Sequence, residues 1–201
     1  MYPDAPMIPT FTIDVLLYGV VHDNSIILPQ AGALLLAQPV LDDPNFTRTV
    51  ILLLAHDDAE GSMGVVINRP GSTLDSSERS PVVDWISTSV GPHVEFIGGP
   101  VEESGYICLS QDFGSPTNVT SLDMMSEDSR GGTTHRVFQG YSGWGPGQLS
   151  YELTENAWWV LESEPSDAFD HDPFTLWSRV LARQTSDLRR LADYPVDPTV
   201  N

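Results

Sequence analysis

The amino-acid sequence predicts a mixed α/β (α+β) domain with more strands than helices. Apolar runs of strand length recur along the chain, and continuous runs of this kind are typical of strands covered on both faces. These runs do not alternate regularly with helical segments, which favours a mixed sheet over a parallel Rossmann-type sheet. The 201 residues fit one domain. We assign residues 32–201 to it and residues 1–31, with their early prolines, to an N-terminal extension.

The strands are predicted from short apolar runs that end at turn-forming residues. Pro70, for example, stops the third of them. The stretch 111–134 is polar and rich in Gly, Ser and Thr, so we expect a long surface excursion there. We expect strands at residues 34–37, 49–56, 64–68, 94–97, 106–109, 136–141 and 157–161.

Four helices are predicted, and the clearest spans residues 173–184. Asp172 can cap it, Pro173 suits its first position, and Trp177 lies in an apolar stripe at helical spacing. Such a stripe favours packing against the core, so we expect Trp177 to be buried. The other predicted helices span residues 82–87, 146–156 and 186–192.

The chain is strongly acidic and contains no lysine. It has 28 Asp and Glu residues against nine arginines, which gives a formal net charge of -19. Because binding to DNA requires cations that neutralise phosphates, we expect no tight non-specific binding to nucleic acid. The same charge disfavours contact with anionic membranes. Four of the nine arginines fall between Arg179 and Arg190, which makes that region the candidate basic surface.

Other features predict a cytoplasmic protein without a cofactor or a metal site. A secretory signal begins with positively charged residues, and the first 30 residues have none. No segment reaches the length of about 18 apolar residues that a membrane-spanning helix needs. Cys108 is the sole cysteine and lies in an apolar run, which indicates a buried thiol. His56 and His171 neighbour carboxylates, but neither has a second His or Cys at ligand spacing.

The segment 140–149 (GYSGWGPGQL) lies where a strand is predicted to end and a helix to begin. Glycines at such a junction let the backbone approach a ligand, and free amides at a helix start attract anions. The spacing is not that of the dinucleotide fingerprint, and Pro146 lacks one of the amides. Ser142 fails as a hydrolase nucleophile, because Trp144 replaces the glycine of the nucleophile elbow. A structural turn is favoured, with phosphate binding as the alternative.

The segment 61–70 (GSMGVVINRP) presents Asn68 and Arg69 at the end of an apolar strand. Binding residues are common at strand ends, and an arginine can pair with a phosphate or carboxylate of a ligand. The alternative is that Arg69 pairs with one of the chain's own many carboxylates. The sequence leaves both interpretations open.

Several of these stretches together resemble the bacterial YqgE/AlgH family. The stretch 34–56 (LLLAQPVLDDPNFTRTVILLLAH), the stretch 61–70, FIGGPV at 96–101 and GYSGWGPGQL at 140–149 follow one another in the family's order. The resemblance implies a compact domain with a mixed, partly barrel-like sheet flanked by helices. It also implies a proposed role in regulating transcription of exopolysaccharide genes, without an established catalytic activity or cofactor.

The shared motifs supply candidate residues for a ligand or partner site. Some offer side-chain chemistry, and the glycines and the tryptophan shape the turn between the predicted strand and helix. The candidates are Arg48, His56, Asn68, Arg69, Gly143, Trp144, Gly147, Gln148 and Glu152.

Three functions are compatible with the sequence. No nucleophile, base and orienting group can be assembled, which favours a non-enzymatic cytoplasmic regulatory or interaction protein with an unknown protein partner. The second function is a binder of a small anionic ligand, or an enzyme acting on one, that uses Asn68, Arg69 and the loop 143–148. The third is a DNA-binding regulator, which the net charge opposes.

For the second function, we predict that Arg69 and the loop 143–148 lie side by side at one edge of the sheet. Both follow predicted buried strands, and both combine a proline with glycines that expose the backbone. Arg69 would anchor the ligand and Gln148 would orient it. The structural alternative is a clamp in which Arg69 holds Glu152 or another carboxylate across the two segments.

Overall fold

A computed structural model describes residues 21–22, 25–72, 81–126, 134–185 and 187–194. Most of the predicted N-terminal extension therefore lies outside the described residues. The described strands are β1 (Val21–His22), β2 (Ser25–Ile26), β3 (Ala33–Ala37), β4 (Val50–Asp57), β5 (Gly61–Val66), β6 (Phe96–Ile97), β7 (Val101–Gln111), β8 (Val119–Leu122), β9 (His135–Trp144) and β10 (Trp158–Glu162).

The described helices are fewer than the strands. The α-helices of the described chain are α1 (Pro81–Thr88), α2 (Gln148–Thr154) and α3 (Leu176–Ala182). The 3₁₀-helices are Asp167–Phe169, Pro173–Thr175 and Asp187–Leu191. None of the helices described is long and apolar enough to cross a membrane.

Eight strands form one mixed, open sheet. Its order is β10-β3-β4-β5-β9-β7-β8, and β6 pairs with β9 beside this path. The β6–β9 pair is parallel, and the other pairs are antiparallel. The sheet has two edges, β8 and β10, so it does not close into a barrel. The predicted mixed sheet flanked by helices is confirmed.

The central strands are buried on both faces, as their continuous apolar runs predict. In β4, Val50 and Leu52 join the core on one face of the sheet, while Ile51 and Leu53 join the core on the other. This alternation follows from the two-residue period of a strand. A strand with two apolar faces must be covered twice, which explains why helices lie on both sides of the sheet.

The first face is covered by α3 and the 3₁₀-helix Asp167–Phe169. Trp177 of α3 is 2% exposed, and its indole N–H donates to the carbonyl of Ala37 at 2.9 Å. The prediction of a core-facing helix with a buried tryptophan is confirmed. The first turn of the predicted helix is the 3₁₀-helix Pro173–Thr175.

The second face is covered by two helices, one towards each end of the sheet. Leu149 and Leu153 of α2 pack on side chains of β3, β4, β5 and β10. Trp85 of α1 packs over Cys108 of β7 and over β9. Cys108 is 1% exposed, and burial raises the pKa of its thiol to about 12, which confirms the predicted buried thiol. Ile97 of β6 joins neither packed group and stays half-buried.

One secondary-structure prediction is wrong in part, because the polar stretch 111–134 contains β8. Val119 of this strand is buried, whereas Thr120 and Ser121 are exposed. Adjacent strand residues point to opposite faces, so the centre of this edge strand is exposed on both faces, and such a strand has the polar composition of a loop.

The largest fully buried side chain is that of Arg136 on β9. Its guanidinium donates to the carbonyls of Ala168, Gly91 and Asp170 at 2.8–2.9 Å and lies 4.0 Å from the ring centre of Phe96. Burial lowers the pKa of Arg136 to about 10, which nearby Asp170 partly opposes. The group therefore stays charged at neutral pH and ties two loops to the sheet.

Candidate functional site

The two segments predicted to lie side by side are at opposite ends of β5. Trp144 is the register partner of Ser62, near the start of β5, whereas Arg69 follows the end of that strand. At about 3.3 Å per residue, the seven steps along the chain from Ser62 to Arg69 span about 23 Å. The structure does not bring Arg69 and the loop 143–148 together.

The loop 143–148 is a turn held by hydrogen bonds within itself and to Asp58. Gly147 adopts a left-handed conformation with φ of 69°, and its N–H donates to the carbonyl of Asp58 at 2.9 Å. The N–H of Gly145 donates to Oε1 of Gln148 at 3.0 Å. These amides are engaged within the protein, which supports the structural interpretation of the glycines over phosphate binding.

Glu152 is the centre of a hydrogen-bonded cluster behind this turn. Its Oε2 accepts from the indole N–H groups of Trp144 at 2.8 Å and Trp158 at 2.7 Å. Its Oε1 accepts from the side-chain amide of Gln148 at 2.9 Å. Both indoles are buried, and their rings meet edge to face. We call these four residues the indole clamp; it joins β9, α2 and β10.

His56 also belongs to the clamp end of β5. His56 lies on β4 and pairs with Ser62 of β5. Nδ1 of His56 is 2.8 Å from Oγ of Ser62. A nucleophilic serine needs its histidine to be oriented by a third group, and the described chain bonds no such group to His56. Nor does any described group of three His, Cys, Asp or Glu side chains offer a metal site. The pair is explained as a cross-strand hydrogen bond.

At the opposite end of β5, Asn68 and Arg48 lock the turn that precedes β4. The side chain of Asn68 accepts from the N–H of Val50 at 2.8 Å and donates to the carbonyl of Arg48 at 2.9 Å. Arg48 has φ of 56°, and its guanidinium lies 4.3 Å from the ring centre of Trp177 and donates to the carbonyl of Tyr194. Burial lowers the pKa of Arg48, and the coulombic effect of Tyr194 opposes this.

Arg69 binds the same turn through main-chain carbonyls. Nη1 donates to Asn45 at 2.6 Å and to Pro44 at 3.3 Å, and Nη2 donates to Thr47 at 3.3 Å. Burial lowers the pKa of Arg69, and the charge of Asp43 opposes this. The Glu152 carboxylate is bonded within the indole clamp, so the pairing of Arg69 with Glu152 that the sequence suggests does not form.

A cavity of about 270 Å³ lies beside Arg69, on the second face of the sheet. We call it the Arg69 cavity. Ile97 of β6 and Gln139 of β9 are paired in the sheet and lie at this cavity. This part of the face lies between the hydrophobic cluster under α1 and the one under α2. Its lining residues are Asn45, Val66, Arg69, Ile97, Gly99, Pro100, Glu103 and Gln139.

A large β-bulge in β7 contributes Glu103 to the wall of the cavity. Val101 pairs with Tyr141, but the next pair is Tyr106 with Gln139, so residues 102–105 stand opposite a single residue of β9. That residue is Gly140, where a Cβ would lie 2.5 Å from the carbonyl of Gly99. Bulges of this kind often lie beside binding sites, because they re-aim a side chain.

Several polar atoms in and beside the cavity have no hydrogen-bond partner among the described residues. In the described part of the chain, neither the Glu103 carboxylate nor the Gln139 side-chain amide makes a hydrogen bond. Glu95 is buried, and its side chain lies close to that of Ile97. Both side chains approach Gly71 so closely that a Cβ there would lie within about 3 Å of each. Oε2 of Glu95 has no hydrogen-bond partner among the described residues. Burial raises the pKa of Glu95, and a hydrogen bond from Tyr106 opposes this.

Glu95, Glu103 and Gln139 are absent from the candidates chosen by sequence. Gln139 lies inside a predicted strand, where nothing distinguishes a lining residue from a packed one. The run Glu102-Glu103-Ser104-Gly105 offers one signal, because a glycine in a polar run beside a strand can mark a bulge. Of the predicted candidates, only Arg69 lines the cavity.

Solved structures share the fold of this chain. A protein from Corynebacterium diphtheriae is 22% identical, covers 84% of this chain and 94% of its own, and superposes with a TM-score of 0.72. The AlgH protein from Pseudomonas aeruginosa is 28% identical, with a TM-score of 0.59 over 82% of this chain and 94% of its own.

Relatives by sequence cover most of the chain. A UPF0301 protein of Streptomyces coelicolor is 41% identical over 186 residues, which are 85% of this chain and 94% of the relative. A UPF0301 protein of Thermobifida fusca is 39% identical over 194 residues, 87% of this chain and 96% of the relative. The family model described as AlgH-like matches residues 34–189. The resemblance seen in the motifs is therefore confirmed, and the chain belongs to the AlgH-like family.

Proposed function

We propose that the protein is a non-enzymatic regulatory or interaction protein that acts by binding a small ligand in the Arg69 cavity. The observation that carries this proposal is that the helices on the second face of the sheet leave part of that face uncovered. α1 and α2 each pack over part of it, and the cavity opens between the packed groups, with charged and amide side chains on its wall. Clefts with a few polar groups on apolar walls are the usual form of a small-ligand site.

The state of the reactive side chains supports binding over catalysis. Both side-chain polar atoms of Glu152 and of Asn68 are hydrogen-bonded within the protein. The thiol of Cys108 is buried, and its raised pKa keeps it protonated and unreactive. These groups hold elements together and have no capacity left to exchange protons with a substrate.

A DNA-binding function is disfavoured because three of the four arginines of the candidate basic surface are paired with carboxylates. Arg179 lies 2.6 Å from Asp170, Arg183 lies 2.7 Å from Asp167, and Arg190 lies 3.3 Å from Asp187. An arginine already paired with a carboxylate adds little to the attraction of a phosphate backbone. The region is therefore a poor match for nucleic acid.

The proposal is tested by mapping where small molecules bind. A fragment library is titrated into ¹⁵N-labelled protein, and amide chemical shifts are followed. We expect fragments to shift the amides of Val66, Arg69, Ile97 and Gln139 as one group. Ile97→Trp fills the cavity and should abolish these shifts. Ala55→Trp is the matched control, because Ala55 is an exposed strand residue at the clamp end of β5.

Two results contradict the proposal. One is that no fragment shifts the cavity amides. The other is that Ile97→Trp, shown to be folded by its spectrum, leaves the shifts intact, since binding would then occur elsewhere.

A further inference from the structure

The Arg69 cavity presents one cationic and one anionic side chain that both retain hydrogen-bonding capacity. A guanidinium has five N–H donors, and Arg69 uses three of them on the carbonyls of residues 44–47. Two donors are thus left among the described contacts. The Glu103 carboxylate has no partner among the described residues, and Gln139 adds an amide that can donate and accept. A ligand that satisfies this wall carries charges of both signs.

The size and apolar part of the cavity limit the ligand to a small molecule. A volume of 270 Å³ equals about nine water molecules at about 30 Å³ each. Val66, Ile97 and Pro100 supply apolar wall, which suits a short aliphatic group. A free amino acid with an aliphatic side chain has this size and this distribution of charge.

The charge of the whole molecule points to the same class. A net charge of -19 repels purely anionic ligands from the surface, whereas a molecule without net charge is not repelled. A purely cationic ligand would be attracted by the protein but would lie beside the Arg69 guanidinium. A zwitterion avoids both costs.

We infer that the Arg69 cavity binds a small zwitterion of the amino-acid type, an inference that rests on the proposed function. The ligand carboxylate accepts from the two remaining Arg69 N–H groups. The ligand ammonium donates to the Glu103 carboxylate and to Oε1 of Gln139. The aliphatic group contacts Val66 and Ile97.

The test compares four probes built on valine, which differ in their charged groups and, where the amine is acetylated, also in size. L-valine carries both charges, N-acetyl-L-valine lacks the cation, L-valinamide lacks the anion, and N-acetyl-L-valinamide lacks both. Each is titrated into the ¹⁵N-labelled full chain, and Kd is obtained from the shifts of the cavity amides. We expect L-valine to bind most tightly.

Two variants assign the ammonium site. Glu103→Gln should weaken L-valine about two- to fivefold, the range of a solvent-exposed ion pair, and should leave N-acetyl-L-valine unchanged. Glu102→Gln is the matched control. Glu102 is the adjacent exposed carboxylate on the same bulge but does not line the cavity, so its replacement should leave every Kd unchanged.

The results separate this inference from the proposed function. If a singly charged or neutral probe binds at the cavity at least as tightly as L-valine, the zwitterion inference fails and the binding function stands. The inference also fails if Glu102→Gln weakens L-valine as much as Glu103→Gln does. If neither the four probes nor the fragment library shifts the cavity amides, both fail.

Discussion

The two ends of β5 differ in what their polar side chains are bonded to. At one end, Glu152 of the indole clamp accepts three hydrogen bonds, two of them from buried tryptophans. At the other end, one carboxylate oxygen of Glu95 has no hydrogen-bond partner in the described chain, and Glu103 makes no described hydrogen bond. Both ends hold residues that the family motifs single out. Glu152, a motif residue, serves the fold, whereas the carboxylates with unbonded oxygens at the cavity end lie outside the family motifs.

Hydrogen-bond saturation is what separates the two roles. A buried polar group with all its partners stabilises the fold, and removal of one partner leaves the other unsatisfied at a cost of about 1–3 kcal/mol. A group without protein partners contributes little to the fold and is open to a ligand. Substitutions at the two ends should therefore affect stability very differently.

The largest effect is expected at the clamp. Glu152→Ala leaves two buried indole N–H groups unsatisfied, so the free energy of unfolding should fall by about 2–5 kcal/mol. Glu152→Gln keeps one acceptor oxygen and should lose less than half as much. Urea denaturation followed by tryptophan fluorescence measures both. Equal losses in the two variants would show that the indole hydrogen bonds do not account for the effect.

A smaller loss of stability is expected when Asn68 is replaced. Asn68 lies at the cavity end of β5, but both polar atoms of its side chain are hydrogen-bonded. Asn68→Ala orphans the N–H of Val50, a fully buried residue, and should lower the free energy of unfolding by about 1–3 kcal/mol. Asn45→Ala serves as the control, because its exposed side chain makes no hydrogen bond in the described chain; a change within about 0.5 kcal/mol is expected. Similar losses in both variants would remove the distinction between saturated and open groups.

Glu95 should show the opposite sign and a pH dependence. Its pKa is raised mainly by burial, so the folded state disfavours the carboxylate, and this cost is fully present above the raised pKa. It disappears as the pH falls to the ordinary carboxyl pKa of about 4.3, where the unfolded chain also takes up the proton. Glu95→Gln should therefore stabilise the protein at neutral pH by less than the losses above, and the gain should fade on acidification.

Denaturation of the wild type and of Glu95→Gln from about pH 8 to about pH 4.5 measures this dependence. Glu102→Gln, an exposed carboxylate, controls for the loss of one negative charge from an acidic protein. A gain that is independent of pH, or equal in the control, would contradict the assignment of the raised pKa to burial of Glu95.

The smallest effect on stability is expected for Glu103. Its carboxylate is exposed and makes no described contact, so Glu103→Gln should change the free energy of unfolding by less than about 0.5 kcal/mol. The same denaturation experiment measures it. A loss above about 1 kcal/mol would show that Glu103 has a structural partner, and the comparison between the two ends of β5 would fail.

Much of the fold is predictable from local pattern, and the site is not. Trp177 lies in an apolar stripe of period 3.6, and its burial follows from that pattern and is confirmed. The predicted adjacency of Arg69 and the loop 143–148 is wrong, because the sequence pattern predicts that each segment ends a strand but does not give the register of β5. The edge strand β8 does not follow from composition, because its central residues Thr120 and Ser121 are exposed on opposite faces and are polar, like the residues of a loop.

The sequence by itself determined the mixed sheet, the covering of its strands on both faces, the acidic charge and the family. These properties rest on side-chain periodicity and composition, which act over a few residues or over the whole chain. The tertiary structure decided that Glu152 is saturated and that Glu103 is open. It did so because α2 brings Glu152 onto two indoles from different strands, while the bulge in β7 carries Glu103 to a cavity between helices. Such contacts join residues distant in the chain, and no local pattern encodes which carboxylate finds a partner.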